Sequence, residues 1–413
     1  MPRSSTIFAA VLLCCAGQSS AQLSLPGNVS VGLPTLPDVG ALAGALPGEV
    51  GSILERPLAE IPAALRQARL DRIDALVRSN RQSIERDFDG APARRGVLFL
   101  LDADADTVVR VAALGFEVSP AETVEGLDLS VSQVQLPAGM SLAAAQKLLG
   151  KKAPAANMSS DQIFFQSGGT GGPSGGSTAA SGRVVDTPIG LIDGAPAQPV
   201  TALKGFAKGA PFPSNHGSAV AALAYAAGAR KILVADVFGT DPAGGNALAI
   251  AQGMGWLISR GVKVISLSLV GPRSPLLERA VASAQARGAI VVAAVGNDGP
   301  AAPPAYPASY SGVLAITGVD KRNRPLIEAG RAAHLDYAAP GADISALNRQ
   351  GKLVPVRGTS FAAPLVAVRA AAALDRGATP RAVVAALDAE AVQISRKHPD
   401  PQLGRGLLCS ACR

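Results

Sequence analysis

The chain has 413 residues, is 48% hydrophobic and 4% aromatic, carries 45 Gly and has a net charge of +7. That length buries a large core and holds more than one unit, and the Gly-rich, apolar composition suits a densely packed α/β protein. Residues 1–186 hold 15 Lys+Arg and 18 Asp+Glu, whereas the rest holds 23 and 13; the basic residues are scattered without aromatic interleaving, which excludes a nucleic-acid site but suits docking of an acidic N-terminal part on a basic C-terminal part.

Residues 1–21 read as a secretory signal. Arg3 gives a positive start, residues 7–16 are apolar but too short to span a bilayer, and Ser19-Ser20-Ala21 offers a cleavage site after Ala21. Bulky residues before Cys14 and Cys15 argue against a lipoprotein. No later apolar run makes a membrane helix, so the expectation is a secreted or periplasmic protein without a membrane anchor. Loss of the signal leaves Cys409 and Cys412, which an oxidising compartment would let close a short loop. A redox or metal CxxC is disfavoured, because no strand-to-helix setting precedes it and no second Cys/His pair completes a zinc site.

Residues 22–95 form an N-terminal segment, irregular over 22–51 and helical over 52–87. There Leu65, Leu70, Ile73, Leu76 and Val77 recur at helical spacing, and Pro57 and Pro62 interrupt the start. Residues 96–153 read as a small α+β unit with strands at 97–101 and 127–136 and helices at 107–114 and 141–149, the last after a Ser cap. This unit has no His, no Cys and no phosphate loop. Residues 154–183 are a linker; 167–182 are nearly all Gly, Ser, Thr, Ala and Pro, too poor in apolar surface to fold and open to nicking.

From 184 to 390 strands and helices alternate, with strands expected at 189–192, 231–237, 262–270, 289–295 and 313–319. That pattern implies an α/β fold, a doubly wound parallel sheet with helices on both faces, whose ligands sit at the C-terminal strand ends. Asp193 and Asn297 stand at such ends. His216 opens a helical stretch at 217–227. Ser360 precedes another, with Pro364 expected in its first turn, where a missing N–H costs nothing. The tail, 391–413, has no assigned role.

Taken singly, each of these four residues has an ordinary structural use as a cap, turn or core residue. Together they hold every part that acyl transfer requires. A serine hydroxyl is a poor nucleophile until imidazole takes its proton; a buried carboxylate orients the ring; a side-chain amide donates to the oxyanion. No Gly-x-Ser-x-Gly elbow surrounds Ser360, and the order acid, base, nucleophile is not that of an α/β-hydrolase esterase.

The motifs Ile189-Gly190-Leu191-Ile192-Asp193, Asn215-His216-Gly217-Ser218, Ala294-Val295-Gly296-Asn297-Asp298-Gly299 and Gly358-Thr359-Ser360-Phe361-Ala362-Ala363-Pro364 resemble, in this order, those of the subtilisin-like serine peptidases. The resemblance covers residues 184–387. It implies a serine endopeptidase with Ser360 as nucleophile, His216 as base, Asp193 as its orienting carboxylate and Asn297 as oxyanion donor. It also implies a substrate groove lined by Ser268, Leu269, Val270, Gly271 and Gly296. The substrate would be a protein or peptide. The chemistry would need no cofactor; structural calcium is common in the family, but no ligand set is assignable here, Asp236, Asp241 and Asp298 being ordinary loop residues. The α+β unit would be a propeptide that inhibits the enzyme intramolecularly and is removed within the linker.

Three departures matter. Gly194-Ala195 replaces the usual Ser or Thr followed by Gly, which weakens the expected support of Asp193. Ser218 stands where Thr is usual. Val270 replaces a Gly beside the pocket for the side chain before the scissile bond, so a narrowed pocket is expected. The competing expectation is a catalytically silent peptide-binding protein of the same fold.

Overall fold

The computed structural model describes residues 53, 54, 56–170, 183–397 and 399–412, all within one compact unit, 37–413. The predicted signal, the irregular stretch 22–51 and residues 171–182 of the Gly/Ser linker lie outside these residues.

Helix α1 (Ile61–Ser79) has Pro62 in its first turn and buries Ile61, Leu65 and Ile73. It is shorter than the 52–87 expected. The Asn80 side chain and backbone N–H both donate to the Leu76 carbonyl and end it. Ile84, fully buried, then opens strand β1 (Ile84–Arg86).

An antiparallel sheet follows, built from β1, β2 (Pro92–Leu101), β3 (Glu117–Val118), β4 (Glu122–Thr123), β5 (Ser130–Gln135) and β6 (Met158–Gln162), with helices α2 (Ala105–Ala112) and α3 (Leu142–Lys152) between its strands. Asp104 and Ser141 cap the two helices by accepting the N–H of Thr107 and Ala144. Strand β2 is buried on both faces. Leu98 and Leu100 pack on Val111, Leu142 and Leu149 of the unit's own helices. Val97, Phe99 and Leu101 point the other way, into a cluster with Met254, Trp256, Leu276 and Val281. Those residues belong to α5 (Ala247–Ser259) and α6 (Pro275–Ala286) of the larger α/β part. At one point backbones touch: a Cβ on Gly126 would stand 2.2 Å from the Gly255 carbonyl oxygen, and a Cβ on Gly255 2.0 Å from that of Glu125.

Two strands of this sheet fall outside the 96–153 span, and β6 explains why. Its sequence, Met-Ser-Ser-Asp-Gln, is polar enough to read as linker, yet it is buried. Its polar side chains find partners across the sheet or in the α/β part, with Gln162 Oε1 alone among them left without one. Ser160 Oγ and Gln162 Nε2 donate to Asp87. Ser159 Oγ accepts the Leu276 N–H at the start of α6 (3.3 Å), and Asp161 Oδ1 accepts the Leu248 N–H at the start of α5 (2.9 Å). Helix N-termini present such unpaired donors. Ion pairs Arg287–Asp128 (2.6 Å), Lys204–Glu125 (3.8 Å) and Arg279–Asp102 add to the contact.

Burial pushes the Asp161 carboxyl up to about 6, outweighing the Leu248 N–H and Arg94. A carboxyl held above its unfolded value stabilises the fold in its protonated form. Its contribution is therefore full below about pH 4 and lost as pH rises through about 6, on the order of 3 kcal/mol. In the full chain carrying Ser360→Ala, the stability difference between Asp161 and Asp161→Asn, read by urea unfolding, should change by that amount across this window. A difference that is flat from pH 4 to 7 would rule this out.

The α/β part carries the seven-stranded sheet predicted from the alternation. In chain order its elements are β9 (Ile189–Asp193), β10 (Ala202–Gly205), α4 (Asn215–Ala226), β11 (Ile232–Asp236), α5, β12 (Val264–Leu267), α6, β14 (Ile290–Ala294), β15 (Leu314–Val319), β16 (Tyr337–Pro340), α7 (Thr359–Asp375) and α8 (Val383–Glu390). The strand order is β10-β11-β9-β12-β14-β15-β16, every pairing parallel. Leu191, Val264 and Val292 face α4, α7 and α8, whereas Ile192, Ile265 and Val291 face α5 and α6. Edge strands β10 and β16 escaped the sequence reading. Short strands β7 (Phe165–Gln166), β8 (Gly169–Thr170), β13 (Leu269–Val270), β17 (Ile344–Leu347) and β18 (Leu353–Arg357) lie outside that sheet. The tail is not loose. Leu403 and Leu407 bury themselves against Val319 and Ala338, Leu407 bridges to Ala338 at the β16 edge, and Cys409 pairs with Cys412.

Candidate active site

Asp193 is the last residue of β9, fully buried. Its Oδ1 accepts the Gly194 N–H (2.7 Å), and His216 Nδ1 lies 2.9 Å from both carboxylate oxygens. His216 is held by the first turn of α4. Ser214 caps that helix through the Gly217 N–H (2.9 Å), and Ser218 Oγ donates to the Ser214 carbonyl (2.7 Å) while accepting the Ala197 N–H (3.0 Å). The hydroxyl of Ser218 thus does here what a Thr hydroxyl can do. Gly217 admits no side chain, since a Cβ would stand 2.0 Å from the Gly194 oxygen. The His216 ring faces Phe361, centroids 5.4 Å apart. Its Nε2 is buried without a hydrogen-bond partner.

Ser360 is the second residue of α7, fully buried. Pro364 lies deeper in the helix than expected, beyond the first turn. Its missing N–H orphans the Ser360 carbonyl four residues back, and Ser268 Oγ donates there instead (2.9 Å). Gly358, at φ 144°, leads into the helix. Thr359 clamps the neighbouring loop: its N–H donates to Asn297 Oδ1 (3.0 Å), and its hydroxyl accepts from the Gly296 N–H (3.0 Å) and donates to the Gly296 carbonyl (3.2 Å). With Oδ1 so engaged, Asn297 Nδ2 turns to Gly358, where a Cβ would stand 2.8 Å from it and 3.2 Å from the Ser167 oxygen.

A segment of the chain itself runs through this site. β7 pairs antiparallel with β13, Gln166 opposite Leu269 and Phe165 opposite Val270, and β8 pairs antiparallel with β18. Between them the Ser167 N–H donates to the Ser268 carbonyl (3.2 Å), and the Ser167 carbonyl accepts the Ser360 N–H (3.1 Å). Ser360 Oγ is 2.6 Å from Ser167 Oγ and donates a longer bond to the Ser268 carbonyl (3.4 Å). A Cβ on Gly168 would stand 2.9 Å from Phe361 Cε2 and 3.2 Å from Ser360 Oγ. Gln166 Nε2 donates to Asp193 Oδ1 (3.0 Å).

Of the predicted groove residues, Ser268, Leu269 and Val270 lie along this segment. Gly271 does not pair with it, because its N–H and carbonyl are taken by Tyr306. It acts by having no side chain, since a Cβ would meet Phe164 at 2.4 Å. The Val270 side chain lies over Gly296, its Cγ1 3.1 Å from where a Cβ would be. Both residues line a cavity of about 470 Å³ with Phe165, Ala302 and Tyr306. Val270→Gly should therefore open a side-chain pocket and raise cleavage after Phe relative to Ala by about tenfold, as loss of a methylene-scale barrier in an apolar pocket allows. An unchanged Phe/Ala ratio of kcat/KM would contradict the narrowed pocket.

Helix α1 closes over the loop that follows β14. Arg69 and Arg72 pair with Asp298 (3.3 and 2.8 Å), and Arg72 also sits over the Phe165 ring. Asp236 accepts the N–H groups of Phe212, Phe238 and Gly239, and Asp241 that of Ala243. Among the described residues no group of three His, Cys, Asp or Glu could hold a metal ion. Three residues escaped the sequence reading: Thr359, hidden inside the serine motif; Ser214, a helix cap; and Gln166, outside every motif.

Residues 207–406 match the model of the subtilase family, peptidase S8. Subtilisin BL of Lederbergia lenta is 38% identical over 142 residues, 34% of this chain and 52% of that protein. Thermitase of Thermoactinomyces vulgaris is 33% identical over 183 residues, 44% and 64% of the two chains. The match to Subtilisin BL thus spans about half of that relative's length. Among solved structures, fervidolysin from Fervidobacterium pennivorans, a keratinolytic enzyme related to subtilisin, superposes with TM-score 0.64 at 19% identity over 80% of this chain and 63% of that one. The epidermin leader peptide processing serine protease of Staphylococcus aureus gives 0.59 at 16% identity, over 77% and 98%. These two likenesses establish a common fold.

Proposed function

We propose that this chain, whose residues 207–406 match the subtilase family model, is a secreted or periplasmic serine endopeptidase made as a precursor that processes itself. Ser360 attacks a peptide carbonyl. His216 takes its proton and later returns it to the leaving amine, and Asp193 holds the imidazole in the tautomer that leaves Nε2 free to accept. Asn297 Nδ2 and the Ser360 N–H receive the oxyanion. The chemistry uses no cofactor. Residues from 22 into the Gly/Ser linker act as the propeptide, blocking the groove until they are cut away.

The observation that carries this reading is the peptide carbonyl of Ser167 on the Ser360 N–H, beside a His216 already paired to Asp193. A second reading, a silent peptide-binding protein, has one observation in its favour: Ser360 Oγ is engaged by Ser167 and Ser268, and His216 Nε2 has no partner. In the enzyme reading this is a resting arrangement, which rotation about the Ser360 side chain converts to a Ser–His pair.

A fluorophosphonate probe separates the two. The expected result is covalent labelling of the processed chain, abolished in Ser360→Ala, together with failure of that variant to shorten itself. Absence of labelling in the unaltered protein would favour the binder. A Ser360→Ala chain that matures in isolation at the normal rate would end the self-processing proposal.

A further inference from the structure

Resting on the serine-peptidase reading, we propose that the bond this chain cuts in itself is Ser167–Gly168, and that the side chain of Gln166 selects that bond by completing the hydrogen bonding of Asp193. The enzyme is then selective for Gln-Ser-Gly, in its own precursor and in peptide substrates, with cleavage after Ser.

Three features converge on this tripeptide. The Ser167 carbonyl already rests on the Ser360 N–H, with strand pairing on both sides to fix its register: β7 on β13 before it, β8 on β18 after it. Ser167 is small, as a pocket holding Val270 against Gly296 demands. Gly168 is fixed by space, because any Cβ there would press on the buried Phe361 ring and on Ser360 Oγ.

Gln166 contributes differently. Where subtilisin-like peptidases usually place a Ser or Thr hydroxyl after the Asp, this chain has Gly194. The gap is narrow. A Cβ on Gly194 would stand 2.5 Å from Ser214 Oγ and 3.3 Å from Gln166 Nε2. The Gln166 amide reaches past it and donates to Asp193 Oδ1, the oxygen that also accepts the Gly194 N–H and contacts His216 Nδ1. A carboxylate with its lone pairs satisfied is fixed in place, and so is the imidazole it holds. The residue two positions before the scissile serine's successor, Gln166, is thus a positioning residue supplied by the substrate.

The step balances with water as the only co-reactant. Ser360 Oγ bonds to the Ser167 carbonyl carbon and gives its proton to His216 Nε2. The C–N bond to Gly168 breaks, and that proton goes to the Gly168 nitrogen, which leaves as an amine. Water then attacks the ester and loses a proton to His216. The ester bond breaks, and Ser360 Oγ regains the proton.

The test has two arms. In the first, the full chain is allowed to process in H₂¹⁸O and both fragments are mapped by mass spectrometry, with fluorophosphonate labelling in parallel. The expected result is an N-terminal fragment ending in Phe165-Gln166-Ser167 with ¹⁸O on its terminal carboxylate. A fragment ending anywhere between 169 and 182 overturns the assignment while labelling keeps the enzyme reading; no processing and no labelling overturns both. In the second, the processed enzyme is given the hexapeptide amides Phe-Phe-Gln-Ser-Gly-Gly, Phe-Phe-Met-Ser-Gly-Gly and Phe-Phe-Glu-Ser-Gly-Gly. Peptides avoid any folding defect of a variant precursor. Met fills the space of Gln without its donor and should lower kcat about tenfold, with KM little changed, as loss of a hydrogen bond to a charged group predicts. Glu sets a like charge beside Asp193 and should lower kcat by about 100-fold. Equal rates for all three, or an effect confined to KM, would overturn the role of Gln166. Precursors carrying Gln166→Met and Gln166→Glu should slow self-processing in the same order.

Discussion

His216→Ala lowers kcat for a peptide substrate by about 10⁶-fold, and adding Ser360→Ala lowers it no further. The geometry requires this lack of additivity. Among the described residues the hydrogen-bond partners of Ser360 Oγ are the Ser167 hydroxyl and the Ser268 carbonyl, neither of which can hold its proton at neutral pH, so the proposed mechanism has His216 as its base. Without the imidazole the hydroxyl is idle, and without the hydroxyl the imidazole has nothing to deprotonate. What survives in either variant is the contribution of the Ser360 N–H and the Asn297 amide. Steady-state kinetics on the two single variants and the double variant check the claim; singles that multiply in the double would mean that the residues act separately.

Asn297 is the second test, with an expected loss of about 10²–10³ in kcat for Asn297→Ala. The substitution also removes the acceptor for the Thr359 N–H, which leaves a buried donor unpaired and costs about 1–3 kcal/mol of stability. Asn297→Asp separates the two effects. It keeps an acceptor for Thr359 but turns a negative oxygen toward the developing oxyanion. Its stability should lie near that of the unaltered protein while its kcat falls below that of Asn297→Ala. Thermal unfolding beside kcat measures both, and an Asp variant faster than the Ala variant would remove Asn297 from the oxyanion site.

The doubly wound sheet was legible in the sequence, because buried parallel strands are written as short apolar runs between amphipathic helices. The candidate site was legible because its four polar residues sit in short local motifs. What the sequence hid was nonlocal. Strand β6 looked like linker since its Ser, Asp and Gln find their partners in Asp87 and at the N-termini of α5 and α6, far along the chain. Pro364 was placed a turn too early in its helix, and only the fold reveals Ser268 donating to the carbonyl it orphans. Gly271 was expected to line the groove; it lines the cavity beside Val270, but its backbone is taken by Tyr306, a partner far along the chain. Gln166 lies in no motif, and the weakness noted at Gly194 gave no hint that an amide from another part of the chain would fill it.

The contact of Gly126 with Gly255 gives these results a practical handle. Gly255 lies within α5, where alanine would favour a bare helix by up to about 1 kcal/mol. Against the N-terminal unit the same methyl has nowhere to go, because it would stand 2.0 Å from the Glu125 oxygen. One carbon atom therefore acts with opposite sign at two levels, favouring the helix taken by itself and opposing its contact with the N-terminal unit. It does so on a helix that supplies none of Asp193, His216, Asn297 or Ser360, so the contact between the two parts can be loosened while those four residues are left as they were.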